Sequence, residues 1–190
     1  MANKFYQLGR DRAVKVQDLF GRIAARYDLV NDLQSLGLHR FWKRRLVNLA
    51  CPEPHARILD LCCGTGDIAL RFADPSRVVI GADFSTPMLN EAVKRSRIAG
   101  VSVRWVQGDA LDLPFRDASF DVVTIGYGLR NLADLSVGLQ EMLRVTAPGG
   151  RLLVLDFGKP PNAWLRAAYF AYLRYWVPVF GRVLCGDAST

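Results

Sequence analysis

Short apolar runs alternate with stretches of helical period through residues 55–158. Ile58, Leu59 and Leu61 suit a buried strand around an acid, Asp60. Ile68, Leu70, Phe72 and Ala73 then recur at the spacing of a packed helix. Arg77–Asp83 reads as a second buried strand that also ends in an acid. Ser85 is a good N-cap for the next helix, with Pro87 tolerated in its first turn and Met88, Leu89, Ala92 and Val93 facing inward. Val101–Val106 and Phe120–Ile125 are strands three and four, and Leu135, Leu139, Met142 and Leu143 mark a helix. Pro148-Gly149-Gly150 turns into a fifth strand, Arg151–Phe157. Strands separated by helices predict a parallel, doubly wound α/β sheet.

The flanks differ. Val14–Asp28 is an amphipathic helix, with Val16, Leu19, Phe20, Ile23, Ala24 and Tyr27 on one face. Asn31–His39 reads as a loop, Phe41–Ala50 as a second helix, and two prolines at 52 and 54 close this region. The tail, Ala163–Leu184, is rich in aromatics but is interrupted by Arg166, Arg174 and Pro178. A membrane-spanning helix needs about 20 mostly uncharged apolar residues. An amphipathic lid, a helix resting at a membrane interface, or a core-packing helix fits better. The chain is therefore one domain: a helical cap over residues 1–54, an α/β core over 55–158 and an aromatic helical lid over 159–190.

Composition and charge add two things. Cys51, Cys62, Cys63 and Cys185 follow no disulfide or zinc pattern, and the polar N-terminus opens no signal sequence. Both imply a reduced, cytoplasmic setting. Residues 1–50 hold ten Lys/Arg against four Asp/Glu, residues 51–150 ten against twelve, and residues 151–190 five against two. Basic flanks on a mildly acidic centre suit nucleic acid, anionic lipid or an acidic substrate, or are simply a solvated surface.

The chemistry centres on Asp60 through Ala69. Gly64 and Gly66 allow a sharp bend and let a ligand lie against the backbone, and the following helix start favours an anionic group. Gly64-Thr65-Gly66-Asp67-Ile68-Ala69 also satisfies a dinucleotide pattern, with Asp83 near the place of a ribose-binding acid. Asp60, Asp109 and Asp67 tilt the reading away from a diphosphate. Asp67 at the helix start would repel one, whereas a zwitterionic, cationic ligand tolerates several acids. S-adenosylmethionine is such a ligand.

Asp60…Gly64-x-Gly66, Asp83, Gly108-Asp109-Ala110, Phe120-Asp121-x-Val123 and Pro148-Gly149-Gly150 together resemble the Rossmann-like S-adenosylmethionine-dependent methyltransferases. The departure is Cys62, where that class usually has glycine. Four segments are more specific: Phe20-x-x-Ile23-Ala24-x-x-Tyr27-Asp28-x-x-Asn31-Asp32, Ser35-x-Gly37-x-His39-Arg40-x-Trp42-Lys43-Arg44, Gly128-Leu129-Arg130-Asn131, and Gly149–Phe157. They resemble the quinone-biosynthesis C-methyltransferases of the UbiE/MenG type, from about Val16 to the last residue.

The resemblance implies that Thr65, Asp83, Asp109 and Ala110 contact S-adenosylmethionine, and the loop reading adds Asp60, Gly64 and Gly66 to the same cofactor site. The resemblance also implies a methyl group passed to a ring carbon of a lipophilic polyprenyl quinol, without nucleic acid, at the inner face of the membrane. Asp83 can accept from a ribose diol and Asp109 from an adenine amino group. Arg130, always protonated, suits a phenolate-stabilising role, with Asn131 on a ring oxygen. Tyr27 and His39 would close over the ring. Family members continue past this point with a helix and a strand pair, so strand five is expected at an open edge. A shortened, non-catalytic cofactor-binding protein and another small-molecule methyltransferase are the alternatives; oligomeric state stays open. A nucleic-acid methyltransferase is disfavoured, because Gly126-Tyr127-Gly128 stands where Asn/Asp-Pro-Pro-aromatic would be.

Overall fold

The computed structural model describes residues 31–32, 35, 37–158 and 161–185, with the backbone alone for 173 and 177–185. The proposed helix Val14–Asp28, and Tyr27 with it, lies outside the described residues. The described elements run α1 (Leu38–Ala50), β1 (Arg57–Leu61), α2 (Asp67–Phe72), β2 (Val78–Asp83), α3 (Thr86–Ala99), β3 (Arg104–Gln107), β4 (Phe120–Gly126), α4 (Leu135–Val145), β5 (Thr146–Leu155) and α5 (Ala163–Cys185).

The sheet has the order β3-β2-β1-β4-β5, all neighbours parallel. It is the expected Rossmann-like doubly wound arrangement. The chain lays β2 and β3 on one side of β1, then crosses to lay β4 and β5 on the other. That reversal opens a crevice at the carboxyl ends of β1 and β4, where ligands bind in such sheets. Alternation along the strands divides the core. Ile58, Val79 and Val122 pack with Leu46, Ala50, Ile68 and Phe72 of α1 and α2. Leu59, Val123 and Ile125 pack with Met142 and Val145 of α4 on the opposite face.

Three boundaries depart from the sequence reading. His39 is not in a loop: Gly37 takes φ 76, and α1 begins directly after it. β3 starts at Arg104 rather than Val101, because its register with β2 starts at Arg104 and Ile80. Pro148-Gly149-Gly150 is not a turn before β5 but a bulge within it. Phe120 pairs with Thr146 and Val122 with Arg151, so the extra residues bow out between two stretches of ladder. Gly149 has φ 77, and a Cβ at Gly150 would stand 2.8 Å from the Ala147 carbonyl. β5 ends the sheet among the described residues, and Arg151 ties it to the cap by donating to the α1 carbonyls of Leu49 (3.4 Å) and Ala50 (3.0 Å).

Candidate functional site

The loop after β1 begins from Asp60, which is 1% exposed. One carboxylate oxygen accepts from Thr124 Oγ1 at 2.8 Å and the other from the Ala69 N–H at 3.1 Å. The carboxylate thus joins β1 to β4 and to α2. Burial pushes its pKa up to about 7, against the pull of those two hydrogen bonds. Beyond it, Cys62, Gly64 and Gly66 adopt φ of 50, 56 and 82, so three residues of the loop are left-handed. Burial pushes the thiols of Cys62 and Cys63 far up, which keeps them neutral.

Asp83, at the end of β2, holds the loop from the other side. It accepts from the Gly64 N–H at 2.7 Å and from the Ser85 N–H at 2.8 Å. Burial raises its pKa, opposed by those same bonds. With Gly64, Asp109, Ala110 and Asn131 it lines a cavity of about 130 Å³, whose apolar walls include Phe84, Met88, Leu111 and Leu132. Asp109 follows β3; its carboxylate accepts from the Leu111 N–H at 2.9 Å and shapes the turn that carries Ala110. The donor set fits an adenosine-bearing zwitterion: acids end β2 and follow β3, apolar walls lie between them, and backbone turns abut the loop.

Two loop residues do something other than what their types suggested. Gly66 is buried against Trp105 of β3, whose ring occupies the place of a Cβ. Packing against Trp105 therefore leaves no room for a side chain at this position. Asp67 does not stand as a bare anion. Lys43 Nζ lies 3.0 Å from it, Arg71 3.5 Å and Arg95 3.7 Å. Burial alone would raise its pKa; Lys43 foremost, then the two guanidinium groups, bring it below the usual carboxylate range. Repulsion by Asp67 is therefore no ground for excluding a diphosphate. Thr65 is 3% exposed and accepts from Arg95 at 2.8 Å, so the same guanidinium braces the loop. Lys43 and Arg95 were not singled out in the sequence, because they lie 24 and 28 positions from Asp67 and only the fold brings them together.

The structure separates the remaining candidates. Asn131 lines the cavity and donates weakly to the Tyr127 carbonyl at 3.5 Å. Arg130 is not among the residues of that lining. It donates to Asp156 at 2.7 Å, and its guanidinium sits 5.0 Å from the centroid of the Phe157 ring. Phe157 stacks on Tyr127 at 4.5 Å and meets Trp42 edge-on at 6.1 Å. This aromatic group, joining α1 to the ends of β4 and β5, escaped the sequence reading because its members are spread over the chain. His39 is 1% exposed in α1, with Nδ1 2.9 Å from Ser35 Oγ and 3.6 Å from Asp32. Burial, then Lys43, pushes its pKa down. It lies outside the cavity lining.

Comparison with known proteins matches this chain to a methyltransferase family. The model of the ubiE/COQ5 methyltransferase family matches residues 8–190. A demethylmenaquinone methyltransferase of Thermus thermophilus is 46% identical over 171 residues, covering 89% of this chain and 78% of that protein. The ubiquinone/menaquinone biosynthesis C-methyltransferase UbiE of Ectopseudomonas mendocina is 45% identical, covering 94% and 72%. Among solved structures, the YcgJ protein of Bacillus subtilis superposes with a TM-score of 0.59 at 32% identity, over 70% of this chain and 58% of that one.

Proposed function

Because the chain belongs to the ubiE/COQ5 methyltransferase family, we propose that it transfers a methyl group from S-adenosylmethionine to a ring carbon of a polyprenyl quinol precursor. Demethylmenaquinol and the benzoquinol counterpart of ubiquinone synthesis are the substrates that the names of its relatives bring forward. The observation that carries the reading is the cavity at the crevice of the sheet, with Asp83 bonded to Gly64 on its floor and Asp109 beside it.

S-adenosylmethionine, when bound, supplies an electrophilic methyl group on a sulfonium. The residues of the chain hold and shield that group. Asp83 keeps acceptor capacity for a ribose diol after satisfying two backbone N–H groups, and Asp109 with Ala110 borders the adenine end. Gly64 and Thr65 frame the methionyl end. Asn131, on the cavity wall, would hold a ring oxygen. Arg130 supplies positive charge next to Phe157, where it would stabilise the phenolate left when a quinol hydroxyl, of phenolic pKa about 10, gives its proton to water. Its pairing with Asp156 orients the guanidinium without removing its charge. The electron-rich ring carbon would bond the methyl in line as the methyl–sulfur bond breaks and S-adenosylhomocysteine leaves, the ring hydrogen then passing to solvent as a proton, and most of the acceleration is alignment.

The polyprenyl tail points to a membrane source. α5 leaves Trp164, Leu165 and Tyr175 exposed and carries Arg166 and Arg174. Aromatic and basic side chains on one helix suit an anionic bilayer surface from the cytoplasmic side. No described helix is long and apolar enough to cross a membrane. The test is methyl incorporation from labelled S-adenosylmethionine into demethylmenaquinol presented in vesicles. Labelled menaquinol is the expected product. Cofactor binding without methylation of either quinol would defeat the substrate assignment.

A further inference from the structure

Beside the floor of the cavity sits a buried cation that the proposed chemistry leaves unused. Lys43, on α1, is 5% exposed. Its ammonium has three N–H donors, and its partner among the described residues is Asp67, at 3.0 Å. A buried ammonium with unmatched donors is costly. Nor does Asp67 need Lys43 alone, since Arg71 and Arg95 lie at 3.5 and 3.7 Å from the same carboxylate.

The Lys43 ammonium borders a ligand path. Lys43 lines a cleft with Asp60, Thr65 and Asp67, and the same cleft is bounded by Gly64, Gly126 and Tyr127, which also line the main cavity. The two spaces adjoin across Gly64. A ligand with its ribose at Asp83 would extend its other end over Gly64 toward Lys43.

We propose that Lys43 binds the α-carboxylate at the methionyl end of the cofactor, so that helix α1 of the cap closes the cofactor site. This rests on the reading of the cavity as an S-adenosylmethionine site. A carboxylate ligand satisfies the remaining ammonium donors. It also makes occupancy a link between the cap and the α/β core, since Lys43 belongs to one and Asp67 to the other.

Calorimetric titration of the full chain with three ligands tests this: S-adenosylmethionine, its decarboxylated form, and 5′-methylthioadenosine, which lacks the amino-acid end. The wild-type protein should prefer S-adenosylmethionine to the decarboxylated form by about tenfold to a hundredfold, the range of one charge-assisted hydrogen bond. Lys43→Met should shrink that ratio to within about threefold while leaving 5′-methylthioadenosine affinity within about twofold. A ratio retained in Lys43→Met, or absent from the wild type, overturns the assignment. If Lys43→Met loses 5′-methylthioadenosine binding as well, the milder Lys43→Gln is read in its place, and a retained ratio there overturns it equally. A wild-type protein that binds none of the three sinks the cofactor reading itself, which is a different outcome.

Discussion

Trp105 and Gly66 compete for one space: the indole of β3 lies where a Cβ at 66 would stand, and it covers Gly81 of β2 in the same way. The indole N–H donates to Ser96 Oγ of α3 at 3.3 Å, which fixes the ring in that position. The second glycine of the loop is thus selected by a tryptophan on a strand two places away in the sheet.

Gly66→Ala is accordingly expected to cost about 2–4 kcal/mol, from a left-handed φ combined with overpacking. Urea denaturation measures it. Trp105→Phe in the same chain should recover part of the loss, because the smaller ring vacates the space. Equal stability of Gly66→Ala and the wild type would show that the indole yields freely.

Asp83→Ala should weaken S-adenosylmethionine binding by about a hundredfold, since it removes the acceptors of a ribose diol and also frees the Gly64 and Ser85 N–H groups. Asp109→Ala should cost less, about tenfold, because its carboxylate serves chiefly the Leu111 turn. Equilibrium titration ranks the two. The reverse order would shift the anchoring point from the ribose to the base.

Asp60 gives the protein a pH dependence of known sign. Its folded pKa of about 7 lies above the unfolded value, which is about 4. Between those limits the folded state holds the proton and the unfolded state does not. Stability from this group is therefore full below about pH 4 and falls as pH rises to about 7, by up to about 1.4 kcal/mol per unit. Asp60→Asn, which keeps an acceptor and a donor for Ala69 and Thr124, should flatten this slope. Denaturation midpoints at pH 5, 6, 7 and 8 (about one unit apart) decide it. An unchanged slope in Asp60→Asn would locate the titrating group elsewhere.

Arg130→Ala is expected to lower methyl transfer by about a hundredfold or more, yet to leave S-adenosylmethionine affinity within about twofold. The guanidinium contacts Asp156 and Phe157, and Arg130 is not itself one of the residues lining the cavity. Rates and titrations on the same preparation separate the two effects. A matching loss of cofactor affinity would make Arg130 part of the cofactor site.

Much of the α/β core was legible because its strands are continuous apolar runs. β1, β2 and β4 start and stop within a residue of their hydrophobic blocks, as buried parallel strands should. Local rules misled where a partner overrode them. Pro148-Gly149-Gly150 has turn composition, yet pairing on both sides keeps it within β5 as a bulge. Gly37 looked like part of a loop, but its left-handed backbone is the entry to α1. In the site, Asp60, Asp83 and Asp109 could be picked out by their positions at strand ends. The company Asp67 keeps could not, because Lys43 and Arg95 approach it from separate helices. The same holds for Trp42, Tyr127 and Phe157, whose contact requires the cap already docked.

The central place of β1 also sets an order of assembly. β1 pairs with β2 at Arg57 and Val78, and β2 with β3 at Ile80 and Arg104, so that flank can form from neighbouring segments as the chain emerges. The other flank waits for β4, whose Thr124 reaches back 64 residues to Asp60. Until it arrives, the carboxylate under the glycine loop lacks its hydroxyl donor and one wall of the crevice does not exist. A nascent chain released before residue 126 would hold the acids at the ends of β1 and β2, and the one that follows β3, without a cavity to serve. The cofactor site thus depends on the pairing of β1 with β4, and bound S-adenosylmethionine would act as a clasp on that long-range link.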